Sequence, residues 1–259
     1  MSMHGSLHFT FNGESSRQYG VVLATIGGGL LSEPFLPNTS LLEERIRGRH
    51  HVYPTGTAYD PLEFTLSLAF EEEASPERLR RLAAWLRSSR YAPLVFEDKP
   101  THVYWCQPVK DAAFQHNGRG SGYVTVSFRC NAPWAFTPVY TQARQFADNT
   151  VQGTDYVFEN NGDAAVFPIM AVHLLEGSGF KLVNTSNKGE YFELQDLAPD
   201  EKLVIDHETK DIRSDLPQVY RYRNRTAGSR FMRMLPGANH LKIYGHIQLT
   251  MTCQAPLLG

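Results

Sequence analysis

Cysteine is scarce in this sequence. The three present, Cys106, Cys130 and Cys253, lie far apart, so neither a disulfide framework nor the paired spacing of a metal knuckle can be drawn from them. They read as small buried apolar residues of a chain made in a reducing cytoplasm. Long apolar runs are missing too. Nothing approaches the ~18 residues a membrane-spanning helix needs, so no membrane is expected as a partner. The N-terminus, Met1-Ser2-Met3-His4-Gly5-Ser6, lacks the basic flank and apolar core of a secretory signal. Release by lysis, inside an assembly, is the expected route out of the cell. A charge excess is also lacking: 25 Lys and Arg stand against 27 Asp and Glu, a net charge of -2. No basic balance marks nucleic acid as the main ligand, and no acidic balance marks a solvating tail.

Catalytic signatures are equally thin. Gly27-Gly28-Gly29 lacks the Lys-Ser/Thr ending of a phosphate loop, and no helix follows to offer its N-terminus. A flexible turn is expected there, as at Asn117 to Gly122. His50 and His51 are neighbours on an extended chain and point to opposite faces, which disfavours one shared ion. Asp206-His207-Glu208 has no nucleophile elbow to serve, so a polar strand end and turn is expected. Glu190 with Glu193 can be drawn as a carboxylate pair, but such pairs occur by chance in any chain this acidic. No catalytic residue, metal or cofactor is therefore expected.

What is present is a β-rich chain with one helix. With 259 residues, 42% of them apolar, it can bury a sizeable core, and its length favours two domains. Leu62, Phe64, Leu66, Leu68 and Phe70 alternate, as do Val124, Val126, Phe128 and Cys130, so each set lines one face of a strand. Further strands are expected at Leu7 to Phe11, Tyr19 to Ile26, Leu41 to Ile46, Leu94 to Phe96 and His102 to Val109. Ser75-Pro76-Glu77 is a helix start, with a capping hydroxyl, a proline suited to the first turn and an acid at the positive end. Leu79, Leu82, Ala83 and Leu86 then recur at helical spacing, with Trp85 beside them.

Composition changes after Asn131-Ala132-Pro133-Trp134-Ala135-Phe136-Thr137-Pro138. A boundary is placed there, giving domains 1–138 and 139–259. In the second, short β-like runs alternate with turns: Tyr156 to Glu159, Pro168 to Leu174, Phe180 to Asn184, Tyr191 to Leu194, Leu203 to Asp206, Val219 to Arg223, Phe231 to Leu235 and His240 to Cys253. Many short strands punctuated by Asn, Gly and Pro mean a sandwich or barrel. The fold class is mainly β, with an α+β N-terminal domain.

The order of these pieces resembles the distal tail protein (Dit) family of long-tailed bacteriophages and prophages. The resemblance is carried by Tyr19-Gly20-Val21-Val22, Arg47-Gly48-Arg49, Tyr59-Asp60-Pro61, the helix from Ser75-Pro76-Glu77 to Trp85-Leu86, Leu94-Val95-Phe96-Glu97-Asp98 and Asn131-Ala132-Pro133-Trp134. In the second half Phe158-Glu159-Asn160-Asn161-Gly162, Pro168, Asn184, Ile205-Asp206 and Leu235-Pro236-Gly237-Ala238-Asn239 extend it. The resemblance implies an N-terminal barrel-like ring domain and a C-terminal galectin-like β-sandwich. It also implies a structural role in the virion tail tip: a homo-hexameric ring between the major tail tube protein and the tail hub, its channel passing DNA non-specifically.

Two arginine series stand out. Arg45, Arg47 and Arg49 occupy alternate positions, which on a strand makes one cationic stripe. With His50 and Tyr53 they form the candidate assembly interface, suited to an acidic neighbour. Arg221, Arg223 and Arg225 repeat the spacing, and there a solvated strand face is expected. Trp134, near the boundary, is the candidate inter-domain anchor. The alternative function is a carbohydrate-binding module for host-wall attachment. It is disfavoured because the second half contains no tryptophan for a sugar to stack on. A wall hydrolase would need catalytic groups that the sequence does not supply.

Overall fold

The computed structural model describes residues 5–25, 37–118 and 121–258, with the backbone alone at residues 110 and 111. The Gly27-Gly28-Gly29 turn lies outside the described residues, as do residues 119 and 120 of the Asn117 to Gly122 tip. The chain divides into two compact units, Met1–Phe136 and Thr137–Leu258.

The first unit holds β1 (Phe9–Phe11), β2 (Glu14–Ser15), β3 (Val21–Leu23), β4 (Thr39–Arg45), β5 (Val52–Tyr59), β6 (Glu63–Phe70), α1 (Pro76–Leu86), β7 (Ala92–Phe96), β8 (Tyr104–His116), β9 (Gly122–Cys130) and β10 (Ala135–Phe136). Seven of these strands form one sheet in the order β2-β1-β7-β8-β9-β6-β3. The sheet curls until the Leu23 N–H donates to the Leu7 carbonyl at 2.8 Å, so its ends approach each other. Alternation puts Phe64, Leu66 and Leu68 of β6 and Val126, Phe128 and Cys130 of β9 into the core.

Helix α1 forms where its sequence signals place it. The Ser75 hydroxyl accepts from the Arg78 N–H, and Pro76 occupies the first turn. Leu82, Trp85 and Leu86 face the sheet and are buried. Trp85 stacks on Tyr19 at 4.3 Å and on Phe9 at 5.5 Å, and its indole N–H donates to the Phe11 carbonyl at 3.1 Å. One departure lies nearby. Tyr19 is not in a strand but ends a 3-10 turn, Ser16–Tyr19, which Gly20 closes at φ 63°.

The second unit holds β11 (Tyr140–Phe146), β12 (Thr154–Asn160), β13 (Ile169–Asn184), β14 (Glu190–Leu194), β15 (Lys202–Asp206), β16 (Asp211–Ser214), β17 (Gly237–Cys253) and β18 (Pro256–Leu257). Its spine is the antiparallel pair β13 and β17. Their register shifts between Leu174 and Lys181, where Gly177 and Gly245 take positive φ. On one side of the bend, residues 169–173 pair with β15 and residues 247–253 pair with β11. On the other, residues 180–184 pair with β14 and residues 237–243 pair with β12. Two long bent strands thus belong to two sheet layers. One core fills both, including Phe158, Met170, Leu182, Phe192, Ile205, Ile243 and Met251.

Two expected strands of this unit do not form. Val219 to Arg223 instead leads into a 3-10 turn at Tyr222–Asn224, and Phe231 to Leu235 contributes only the bridge Val166↔Met234. The segment around residue 221 is held by side chains rather than by a ladder. Arg221 donates from Nε and from a terminal nitrogen to the two carboxylate oxygens of Glu201 at 2.8 and 2.7 Å.

Candidate assembly interface

The candidate interface residues all fall on the hairpin formed by β4 and β5. Its strands pair from Thr39↔Tyr59 to Arg45↔Val52 and belong to no other sheet. Every residue of both strands is exposed apart from half-buried Ala58. At the tip the Arg49 N–H donates to the Ile46 carbonyl at 3.0 Å, closing a turn in which Gly48 sits at φ +83°. Thr55 is an extra residue between the pairs Leu42↔Gly56 and Glu43↔Pro54, and its hydroxyl donates to the Leu42 carbonyl at 2.9 Å.

The register assigns the faces. One face carries Leu41, Glu43, Arg45, Val52, Pro54 and Tyr59, the other Leu42, Glu44, Tyr53 and Ala58. Arg47 and Gly48 form the turn, with Arg49 and His50 just beyond. The alternate arginines therefore do not make a single strand stripe. Arg45 lies on one face of the blade, Tyr53 lies on the other, and Arg47, Arg49 and His50 cluster at the end. Alternate spacing makes one face only along a continuous strand, and Gly48 turns the chain here.

The hairpin also carries apolar side chains that sequence reasoning did not single out. Leu41 is 68% exposed and Ile46 51%, with Leu42 and Val52 exposed beside them. Their signal was the absence of clean alternation in Leu41-Leu42-Glu43-Glu44-Arg45-Ile46. A strand with one buried face shows period two; one with apolar groups on both faces does not.

Trp134 is half-buried in the first unit. Its ring meets the edge of Tyr59 at 6.3 Å, and its buried indole N–H has no hydrogen-bond partner among the described residues.

The remaining candidate clusters resolve into structural roles. Asp206 Oδ1 accepts from the Glu208 and Thr209 N–H groups at 2.9 and 3.0 Å, a local turn. His207 is fully buried between Phe192 and Phe231, and its Nδ1 accepts from the Met232 N–H at 2.9 Å. Burial pushes its pKa down to about 3; Asp206 opposes that and Arg225 adds to it. Glu190 hydrogen-bonds Asn187 at 2.5 Å, while Glu193 accepts from the Thr226 hydroxyl at 2.9 Å. Arg225 donates to the Ser229 carbonyl and lies 4.7 Å over the Phe231 ring. The second arginine series is thus structural at Arg221 and Arg225, not a solvated strand face. Among the described residues no group of three or more His, Cys, Asp and Glu side chains could hold a metal ion, and no helix is long and apolar enough to cross a membrane.

Comparison with known proteins bears on these features. Residues 5–132 match the family described as phage tail protein N-terminal domain. The SPbeta prophage-derived protein YomH of Bacillus subtilis (strain 168) is 30% identical over 124 residues, 48% of this chain and 49% of that protein. The match thus spans about half the length of that relative. Among solved structures, the Dit protein of phage SPP1 superposes with a TM-score of 0.68 at 14% identity, covering 95% of this chain and 98% of that one. It is described as a paradigm of the hub adsorption apparatus in phages infecting Gram-positive bacteria. A chain of the phage p2 baseplate in its activated conformation with Sr superposes with a TM-score of 0.51 at 6% identity, covering 95% of this chain and 97% of that one.

Proposed function

We propose that the chain is a structural subunit of a phage tail tip or baseplate, on the footing that residues 5–132 match the phage tail protein N-terminal domain family and that the fold is that of a distal tail protein. It catalyses nothing in this role. Copies close into a homo-hexameric ring at the distal end of the tail tube. One face meets the major tail tube protein and the other the tail hub, and DNA crosses the channel without base-specific contacts. Its place is the virion.

The observation that carries the proposal is the β4–β5 hairpin. An isolated two-stranded hairpin is marginal in water, and solvated apolar groups on both of its faces are a cost to a monomer. Both features make sense when neighbouring copies cover the blade, as ring closure provides. Arg45 and Tyr53 then serve opposite faces, while Arg47, Arg49 and His50 reach an acidic surface beyond the tip. Trp134 is proposed as the anchor that ties the first unit to the rest of the chain.

The test is electron microscopy with light scattering on the purified chain, alone and mixed with its tube protein. Rings of about six copies are expected in at least one of the two samples. A strict monomer at every concentration, with and without the tube protein, contradicts the proposal.

A further inference from the structure

We propose that Cys106 and Cys130 are a redox pair that closes a disulfide between β8 and β9 when the folded protein meets a small peroxide. The two residues are direct partners in the β8–β9 ladder. One position along, the Asn131 N–H donates to the Trp105 carbonyl at 2.8 Å, which makes 105 and 131 a hydrogen-bonded pair. Ladder positions alternate, so 106 and 130 are a non-hydrogen-bonded pair, where opposed Cα atoms lie ~4.5 Å apart. That spacing falls inside the range a cystine spans, ~4.4–6.8 Å.

Both side chains face the same way, into the core. Cys106 is 0% exposed and Cys130 1%, and both thiols are free. Cys253 is buried in the other unit, so it provides an internal control. The pairing chemistry stands on strand register alone and is independent of the tail-tip role.

The step balances with peroxide as oxidant. One thiol gives up its proton, its thiolate attacks a peroxide oxygen, the O–O bond breaks, and a sulfenic acid and hydroxide result, the hydroxide taking up the released proton as water. The second thiol attacks that sulfur, the S–O bond breaks, the S–S bond forms and a second water leaves. The two sulfurs together lose two electrons and the peroxide oxygens gain them. Burial, with the neighbouring thiol, holds the Cys106 thiol far above its ordinary range. The thiolate is therefore scarce, so the reaction is slow and accelerates as pH rises. The cystine ties the two long strands together below their shared tip and removes loop freedom from the unfolded chain.

The experiment treats the full chain with hydrogen peroxide at neutral and mildly alkaline pH, then maps peptides by mass without reduction. The expected product links the Cys106 and Cys130 peptides within one chain, is lighter by two hydrogens, reverts with a thiol reductant and forms faster at the higher pH. The melting temperature of the first unit rises by about 5–10 °C on oxidation. Cys130→Ala abolishes both the link and the rise, and Cys253→Ala leaves both intact. Recovery of both cysteines as free thiols after denaturation overturns the proposal. So does their conversion to sulfinic acids without a link, or a link that joins two chains.

Discussion

At the scale of single residues, the second unit is held by two buried ionisable groups. The Glu201 side chain is fully buried. Burial alone raises its pKa, but hydrogen bonds from Arg221, Ser214 and the Ala198 N–H, with the Arg221 charge, outweigh that and leave it below 4.5. Replacing Arg221 with Ala strands a carboxylate in the interior, and a loss of about 3–5 kcal/mol is expected on thermal or urea unfolding. His207 has the opposite logic. Its folded pKa of about 3 lies under the ordinary 6.5, so the unfolded chain takes up a proton that the folded chain refuses. Stability of the second unit therefore falls as pH drops from 6.5, by about 1.4 kcal/mol per pH unit. Glu201 adds its own loss only below 4.5, as pH falls through its lower folded value. Urea titrations across pH should show the upper window flattened in His207→Gln and the lower one in Glu201→Gln. A wild-type profile that is flat from pH 6.5 to 4.5 contradicts the buried neutral imidazole. In the first unit the equivalent keystone is Trp85, buried against Tyr19, Phe9 and Phe11. Trp85→Ala should cost about 3–5 kcal/mol, read from the denaturation midpoint.

At the scale of elements, the hairpin is where stability and assembly separate. Its side chains touch solvent, so Arg47→Glu with Arg49→Glu should leave the melting temperature unchanged. The same change should weaken ring formation about tenfold or more, measured as the concentration at which half the chain assembles. Unaltered assembly would show that the tip docks nothing. Elements whose pattern reflects one buried face were legible in the sequence. β6 and β9 form within a residue of where alternation puts them, and α1 starts where the Ser75 cap and Pro76 put it. β11 was hidden because only Phe146 of Tyr140–Phe146 is buried, so its face looks polar. β13 reads as two strands because Gly177 and Gly179 resemble a turn, whereas the structure bends one strand through them. The turn at Tyr222–Asn224 was missed for another reason. Its Arg221 is fixed by Glu201, twenty residues earlier in the sequence, and such a pairing leaves no local periodicity.

At the scale of the whole molecule, two separate cores predict two separable folding units. Residues 137–258 expressed alone should fold, with dispersed amide resonances and a cooperative melt. If Trp134 anchors the first unit to the rest of the chain, Trp134→Ala should split one thermal transition of the full chain into two. An unchanged melt would leave Trp134 as a packing residue beside Tyr59. The chemistry-bearing residues that the sequence offered are mostly engaged in turns and buried pairs, and the exposed β4–β5 hairpin is a blade fit for protein contact. On the proposed reading the chain acts by where it sits. The measurement that bears most directly on it is electron microscopy of phage particles carrying a small affinity tag on this chain, labelled with antibody. Label confined to the distal end of each tail is predicted. Label absent from assembled tails, or spread along the tube, would contradict the account.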